Sequence, residues 1–368
     1  MSAVPFDHVA RIRRAADTAE SRGVGAVLVT PGADLVYLSG YDPLPLERLT
    51  ALVVRAAADP VLVVPQLERA LAEEAGLGEL AEIAWWGDTD DPYSLVRGIA
   101  GEAATIACSD RMWASHLLRL QLEMPAVEFV PTREIIGSLR AVKDGDEIGL
   151  LKRAARAADE TFNRIVGQRL ESMTETEVAE RLADLLVETG HDTSAFTIVG
   201  SGPNAASPHH EPGHRQIVHG DAVVLDFGGR TGGYHSDMAR TVAVGGATGD
   251  LPHVHEVVRE AQEAAFRMVS PGVPAREVDR AAREVIERAG FGERFIHRTG
   301  HGIGLEEHEP PYIVESNREP LEPGMCFSIE PGIYLPGELG VRIEDIVTVT
   351  EDGAKRLNRA SRDLEVVR

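Results

Sequence analysis

The sequence predicts a two-domain protein of the α/β class. The chain has 368 residues, which is too long for one ordinary core and long enough for two. Its first ~140 residues alternate strand-like and helical segments, whereas its last ~70 are rich in glycine, proline and β-branched residues. We therefore expect a small α/β domain over residues 1–142 and a larger α+β domain over residues 143–368.

The composition limits what kind of protein this is. Hydrophobic residues make up 43% of the chain and charged residues 26%, which is typical of a soluble globular protein. A formal net charge of −22 argues against a nucleic acid or an anionic membrane as a partner. We expect no signal peptide and no membrane span, because no apolar run approaches about 20 residues. Cys108 and Cys326 lie in hydrophobic segments and should be buried and reduced, which favours a cytoplasmic location.

Strands are predicted in the first domain where short apolar runs are bounded by turn residues. These runs are Ala26–Thr30, Ala51–Val54, Val61–Val64, Thr105–Cys108 and Val127–Val130. A helical spacing lies between them at Leu67–Glu74. The domain carries no nucleotide-binding loop and no cluster of histidines or cysteines, so we expect a scaffold or a lid.

The second domain begins after a polar break at Arg140–Asp146. A long amphipathic helix follows, with apolar residues three and four apart from Ile148 to Ile165. The next helix opens with the capping box Thr174–Glu177 and ends at Gly190. Beyond it, the sequence predicts three strands and two further helices, namely Ala195–Val199, Asp221–Phe227, Tyr234–Val244, residues 253–269 and residues 275–289.

Four acidic residues lie in strand-like segments that should be buried, namely Asp226, Asp237, Glu330 and Glu344. Ionised carboxylates rarely lie in such runs unless they are paired or bound to metal, because desolvating the charge costs several kcal/mol. One such residue would usually form a structural salt bridge. The candidate cations Arg240 and Arg342 are too few for four carboxylates, so we expect metal ligands. His301, flanked by glycines in TGHGIG, is the histidine best placed to join them.

Two other motif readings fail. Gly200–Ala205 imitates a dinucleotide-binding fingerprint, but Pro203 and Pro208 exclude the helix that would have to follow. His308 begins a sequence like a helical zinc motif, but Tyr312 stands where the second histidine would be needed.

Five segments together resemble the prolidase and aminopeptidase P family. They are SGPNAASPHH, DFGGRTGGYHSDMARTV, GHGIGLEEHEPP, PGMCFSIEPGIY and GVRIEDIV, and the resemblance covers about residues 140–360. The resemblance implies a C-terminal pita-bread catalytic domain, a fold shared with methionine aminopeptidase and creatinase. It also implies a creatinase-like N-terminal domain, in which DLVYLSGY is similar to a characteristic strand-end segment.

The resemblance also implies roles for particular residues. Two divalent metal ions would be held by Asp226, Asp237, His301, Glu330 and Glu344. His209 and His308 would stabilise the tetrahedral intermediate, and Glu330 would handle the proton of the attacking water. The residues expected at the substrate are His297, Tyr312 and Arg342. An oxygen-rich ligand set suits Mn²⁺, with Co²⁺ or Zn²⁺ as alternatives.

The predicted activity is hydrolysis of Xaa-Pro bonds, as a prolidase that cleaves dipeptides. The alternative is an aminopeptidase P activity on short peptides, because Tyr312 stands where dipeptidases commonly have an arginine that reads the substrate's free carboxylate. Tyr312 alone predicts weak discrimination between dipeptides and tripeptides. The short Glu330–Glu344 connection favours the dipeptidase. A metal-free creatinase-type hydrolase and a non-catalytic peptide-binding module are remote alternatives, since no ligand is missing. The family implies a homodimer.

Overall fold

The computed structural model describes residues 6–56 and 58–368. The chain forms two compact units, of which the first ends at Arg140 and the second is Ala141–Arg368. The first unit contains α1 (His8–Ser21), β1 (Ala26–Val29), α2 (Ala33–Ser39), β2 (Ala51–Arg55), β3 (Ala58–Pro65), α3 (Arg69–Glu74), β4 (Glu82–Trp86), α4 (Pro92–Ala100), β5 (Thr105–Cys108), α5 (Ala114–Glu123) and β6 (Glu128–Pro131), followed by α6 (Ile136–Ala141).

A six-stranded sheet forms the centre of the first unit, in the order β4-β3-β2-β1-β5-β6. Strand β2 is antiparallel to both β1 and β3, and the remaining neighbours are parallel. All four residues of β1 are buried, as expected for a central strand covered on both faces. The five strands predicted here are confirmed, as is the helical segment that contains α3.

The prediction for DLVYLSGY is wrong, because this segment forms helix α2 rather than the end of a strand. Leu35 and Leu38 are buried at helical spacing, and Gly40 ends the helix with a φ of 71°, a left-handed conformation that favours glycine. Sequence reasoning also missed helices α1, α4 and α5 and strand β4.

The second unit carries the predicted site residues. It contains α7 (Gly145–Val166), α8 (Glu175–Thr189), β7 (Thr193–Ser201), β8 (Ala222–Thr231), β9 (Tyr234–His235), β10 (Met238–Val244), α9 (Leu251–Met268), α10 (Ala275–Arg288), β11 (Gly300–Gly302), β12 (Glu309–Ile313), β13 (Cys326–Ile329), β14 (Gly332–Leu335), β15 (Leu339–Arg342), β16 (Asp345–Thr350), β17 (Gly353–Arg356) and β18 (Glu365–Val367).

Two sheets and two helix pairs make up this unit. The first sheet has the order β18-β10-β8-β7 with β9 beside β8, and its apolar side chains share a buried cluster with α7 and α8. The second sheet has the order β12-β11-β13-β16-β17, and β14 pairs with β15 in a separate hairpin. Helices α9 and α10 share a second buried cluster with β13, β14, β15 and β16. All four predicted helices are confirmed.

The predicted strand Tyr234–Val244 is interrupted. Gly232 and Gly233, with φ of 57° and 86°, make the turn that reverses the chain after β8. The backbone N–H of Ser236 then bonds to Gly229, and the Ser236 hydroxyl accepts from the Gly229 N–H at 3.0 Å. Residues 236 and 237 therefore leave the regular ladder, and β10 begins only at Met238.

Both cysteines are buried and free, as the sequence predicts. Burial raises the pKa of Cys108 and of Cys326 to about 11, so neither thiol is ionised near neutral pH. Among the described residues, every helix is too short or too polar to cross a bilayer.

The predicted capping box of α8 is present and gives a test of local stability. The Thr174 hydroxyl accepts from the Glu177 N–H at 3.2 Å, and the Glu177 carboxylate accepts from the Thr174 N–H at 2.7 Å. We expect Thr174→Ala to lower the free energy of unfolding by about 1 kcal/mol, because one N–H at the helix start loses its acceptor. Urea unfolding followed by circular dichroism measures this loss. Glu180→Ala, an exposed change on the same helix, is the control, and equal midpoints for both variants would contradict the prediction.

Candidate metal centre

Asp226 and Asp237 lie on one face of the first sheet. Asp226 is in β8, directly opposite Ala239 of β10. Asp237 lies just before β10, two residues before Ala239, and a carboxylate oxygen of Asp237 lies within 4.8 Å of one of Asp226. The eleven-residue spacing of the two carboxylates therefore brings them together across a hairpin.

His301, Glu330 and Glu344 come from the second sheet and its edges. His301 is in β11, which pairs with β13, and Glu330 directly follows β13. Glu344 lies between β15 and β16, and its N–H donates to the Ala239 carbonyl at 3.0 Å. That hydrogen bond ties the segment carrying Glu344 to the strand that follows Asp237. The five predicted ligands thus reach one place from both sheets.

The five side chains form two groups of three that share one residue. Ligand-capable atoms of Asp226, Asp237 and Glu344 lie within 4.8 Å of one another, and so do those of His301, Glu330 and Glu344. His301 Nε2 is 3.2 Å from Glu330 Oε1 and 3.6 Å from Asp237 Oδ2. Two overlapping groups with Glu344 in common are the arrangement that two neighbouring cations would require.

The electrostatics of this cluster are unfavourable unless cations are added. Burial raises the pKa of Asp226, and burial together with repulsion from the neighbouring carboxylates raises the pKa of Asp237 and Glu344 well above the usual range. Burial also opposes ionisation of Glu330, but the hydrogen bond to His301 and nearby positive charges outweigh it and lower the pKa of Glu330 to about 2. The protein alone cannot hold all four carboxylates ionised.

Two observations show whether metal ions fit this cluster: carboxylate oxygens that lack hydrogen bonds, and the chemistry of the five side chains. Asp226 Oδ1 and Glu344 Oε1 are buried, and neither has a hydrogen-bond partner among the described residues. Buried polar atoms nearly always have a partner, so two buried carboxylate oxygens without hydrogen bonds in one cluster indicate a cation-binding site. Four carboxylates and one imidazole form a hard ligand set that suits divalent cations. The residues fit two such ions.

Arg342 braces one side of this centre. Its guanidinium donates to the Asp226 carboxylate, to the Pro208 carbonyl at 2.9 Å and to the Tyr334 hydroxyl at 2.9 Å. The side chain is buried, and its contacts are internal. Arg342 therefore fixes Asp226 and, through Pro208, the segment that carries His209. Sequence reasoning missed Tyr334, because a tyrosine in an apolar strand resembles an ordinary core residue.

His297 is held by internal hydrogen bonds on both ring nitrogens. Nε2 lies 2.9 Å from the Tyr334 hydroxyl, and Nδ1 lies 2.7 Å from the Arg298 carbonyl. Because a carbonyl only accepts, Nδ1 carries the proton and Nε2 accepts from Tyr334. Burial lowers the pKa of His297 to about 4, so the ring is neutral. This geometry makes His297 part of the support behind Arg342.

Glu175 anchors the segment that carries His209. Its side chain is fully buried at the start of α8, and charged side chains are rarely buried so completely. The carboxylate accepts from the backbone and hydroxyl of Ser201, from Asn204, from His210 at 2.7 Å and from the Gly213 N–H. His209 itself is exposed. Sequence reasoning missed Glu175, which looks like one of several acidic residues in a first helical turn.

His308, Tyr312 and Arg298 lie beside His301. The His308 ring centroid is 3.8 Å from that of His301. Tyr312 is opposite His301 across β11 and β12, and the Arg298 guanidinium lies 4.6 Å from the Tyr312 ring centroid. Arg298 Nη2 is 3.3 Å from His308 Nδ1. Burial and the positive charges of His301 and Arg298 lower the pKa of His308 to about 4.

Comparison with known proteins identifies the family. Residues 149–351 match metallopeptidase family M24, and residues 11–142 match the creatinase/prolidase N-terminal domain. This chain belongs to metallopeptidase family M24. The expected fold class, a creatinase-like N-terminal α/β domain with a C-terminal M24 domain of the pita-bread fold, is confirmed.

Known proteins are similar to this chain over nearly its whole length. A probable dipeptidase PepE from Mycobacterium tuberculosis is 45% identical over 360 residues, which covers 97% of this chain and 96% of the relative. An Xaa-Pro dipeptidase from Lactobacillus helveticus is 39% identical over 340 residues, covering 90% and 92%. The crystal structure of a prolidase from Thermococcus sibiricus superposes with a TM-score of 0.93 at 38% identity, covering 99% of this chain and 100% of that one.

The Glu175 network of this M24 chain generates a prediction about stability and pH. Burial opposes ionisation of Glu175, but hydrogen bonds from Ser201, His210 and Asn204 outweigh it and lower its pKa. We expect Glu175→Gln to lower the free energy of unfolding by about 1–3 kcal/mol near pH 7, because the new amide group faces hydrogen-bond donors.

The sign of the pH dependence follows from the lowered pKa. The stability that Glu175 contributes is complete above the unfolded-state pKa of about 4.5 and is lost as pH falls through the folded-state value. The difference between wild type and Glu175→Gln should therefore be fully present at about pH 7, begin to shrink below about pH 4.5 and be smaller at about pH 3. Urea unfolding at about pH 7 and about pH 3 measures it, with Glu180→Gln as the exposed control. A pH-independent difference would contradict the ionic role of Glu175.

Proposed function

We propose that this chain is a two-metal peptidase that hydrolyses Xaa-Pro dipeptides. The observation that carries the proposal is the pair of three-residue groups that share Glu344. In this proposal, two divalent ions are held by Asp226, Asp237, His301, Glu330 and Glu344. The names of the similar proteins, Xaa-Pro dipeptidase and prolidase, support the substrate class.

The charge of the ligand set supports two ions. Four carboxylates offer four negative charges, which two divalent cations balance and one does not. We propose Mn²⁺ because oxygen ligands predominate, with Co²⁺ or Zn²⁺ as alternatives. When bound, two such cations lower the pKa of a water that they share and polarise the scissile carbonyl.

Glu330 is the proposed proton carrier. Its side chain is 14% exposed, compared with 6% for Asp226 and 5% for Asp237, so it is the carboxylate that a water or a substrate reaches more easily. The Ser328 hydroxyl donates to Glu330 Oε1 at 3.1 Å and orients it. Glu330 accepts the proton of the attacking water as the new C–O bond forms. It then delivers that proton to the proline nitrogen as the C–N bond breaks.

His308 and His209 are the proposed donors to the oxyanion. An arginine only donates hydrogen bonds, so Arg298 requires His308 Nδ1 to accept and leaves the ring proton on Nε2. A neutral histidine with Nε2–H can stabilise a developing negative charge. His209 lies between Pro208, which Arg342 holds, and His210, which Glu175 holds. We propose that these two anchors present His209 to the same oxyanion.

The proposed substrate requires a dedicated site. The nitrogen of an Xaa-Pro bond has no N–H, so recognition as an added β-strand loses a hydrogen bond. A second candidate is an aminopeptidase P activity on short peptides, which Tyr312 favours because it is not an arginine. We also propose a homodimer, a cytoplasmic location consistent with two free cysteines, and the domain limits 1–142 and 143–368.

Removal of the shared ligand tests the two-ion centre. We expect Glu344→Ala to remain folded and to contain fewer than two ions per chain. Its turnover of Xaa-Pro should fall by at least about a hundredfold. Elemental analysis and turnover of a Leu-Pro substrate measure both effects. Glu338→Ala, an exposed change, should keep wild-type metal and activity. Near-normal turnover of Glu344→Ala with full metal would contradict the assignment.

The two proposed oxyanion donors should affect catalysis without affecting metal content. We expect His209→Ala and His308→Ala to retain both ions and to lose roughly 10²–10³ in kcat. His301→Ala should instead lose metal. The comparison matters for His308, whose ligand-capable atoms also lie within 4.8 Å of those of Asp237 and His301. Metal loss in His308→Ala equal to that in His301→Ala would make His308 a ligand.

A further inference from the structure

Arg298 is a half-buried arginine beside the metal centre that the proposed mechanism uses only to orient His308. It lies in the segment just before β11. Its guanidinium carbon lies 4.6 Å from the Tyr312 ring centroid, and Nη2 contacts His308 Nδ1 at 3.3 Å. The adjacent residue Thr299 pairs with Ile313 through its N–H, which fixes the backbone at this point.

Arg298 has no acidic partner in the described part of the chain. Other half-buried arginines of the second unit do have one: Arg283 pairs with Asp279 at 2.7 Å, and Arg215 pairs with Asp221 at 2.6 Å. A partly desolvated guanidinium without a counter-ion is a ready anion site. Among the residues that the structure describes, its side chain makes one hydrogen bond, from Nη2 to His308.

The orientation of the guanidinium suits a carboxylate. Arginine has five N–H donors that lie in one plane and bind a carboxylate through two parallel hydrogen bonds. The contact with the Tyr312 ring takes up none of these N–H groups as a hydrogen-bond donor, and the contact with His308 takes up one, on Nη2. The Tyr312 ring also restricts the side chain, so less conformational entropy is lost when an anion binds.

The position suits a dipeptide in particular. In an Xaa-Pro dipeptide, only the proline Cα separates the scissile nitrogen from the carboxylate carbon. The group that binds this carboxylate must therefore lie next to the catalytic centre. Arg298 meets this condition, because it contacts His308, whose ring lies against the proposed ligand His301.

We propose that Arg298, supported by the Tyr312 ring, binds the free carboxylate of the Xaa-Pro dipeptide and so makes the site selective for dipeptides. This inference rests on the proposed function and deepens it. It reverses the expectation from Tyr312 alone, which was weak discrimination. Tyr312 stands where dipeptidases commonly have a carboxylate-reading arginine, and Arg298 supplies the charge from the segment just before β11.

The test compares Leu-Pro with Leu-Pro amide, which lacks the carboxylate, using Mn²⁺-loaded full-length protein. We expect Arg298→Gln to lower kcat/KM for Leu-Pro by roughly 10–100-fold, mainly through KM, as for the loss of one charged hydrogen bond. Leu-Pro amide should lose only what the His308 contact contributes, so the loss on Leu-Pro should exceed the loss on the amide by at least about fivefold. Arg294→Gln, an exposed change four residues earlier, should alter neither substrate.

Other results would overturn the inference. Equal losses on both substrates would mean that Arg298 acts only by orienting His308, and unchanged hydrolysis of Leu-Pro would mean that another group reads the carboxylate. Arg298→Lys, which keeps the charge without the planar fork, should show an intermediate loss on Leu-Pro alone, and it carries the test if Arg298→Gln does not fold. A wild type that binds two ions but hydrolyses neither substrate would refute the proposed function itself, and this inference with it.

Discussion

The second unit is organised around the repulsion between four carboxylates that share one buried centre. Asp226 and Asp237 come from one sheet, Glu330 and Glu344 from the other, and His301 lies among them. Burial and mutual repulsion raise the pKa of three of the four. A fold that brings such groups together without compensation would be destabilised by several kcal/mol for each unpaired charge. In the proposed function, two divalent cations remove this cost and make the same residues a catalytic centre.

Most of the surrounding polar contacts hold that centre in place. Arg342 links Asp226 to Pro208 and to Tyr334, and Tyr334 in turn holds His297. Glu175 secures the other end of the His209 segment. These groups are buried or partly buried and satisfy one another, as buried polar networks must. The same principle explains why Arg298 stands out, since it has no acidic partner among the described residues.

The sequence was informative where chemistry and local pattern coincide. Asp226 and Asp237 could be singled out because an ionised carboxylate in a strand-like segment that should be buried needs a metal or a cation, and Thr174 with Glu177 has the pattern of a capping box at a helix start. Glu175 and Tyr334 could not be found in this way, because their roles depend on partners far along the chain: Glu175 and His210 are 35 residues apart, and His297 and Tyr334 are 37 apart. Helix α2 was missed because short apolar runs do not distinguish a strand from a buried helix.

The number of metal ions bound by the wild-type chain tests this account most directly. The protein would be stripped with a chelator, dialysed against Mn²⁺ and analysed for bound metal, with thermal unfolding followed in parallel. We expect the wild-type chain to bind two ions, to have a higher Tm when they are bound and to hydrolyse Xaa-Pro only when they are present. A chain that binds no metal, or that hydrolyses Xaa-Pro at its full rate in the chelator, would contradict it.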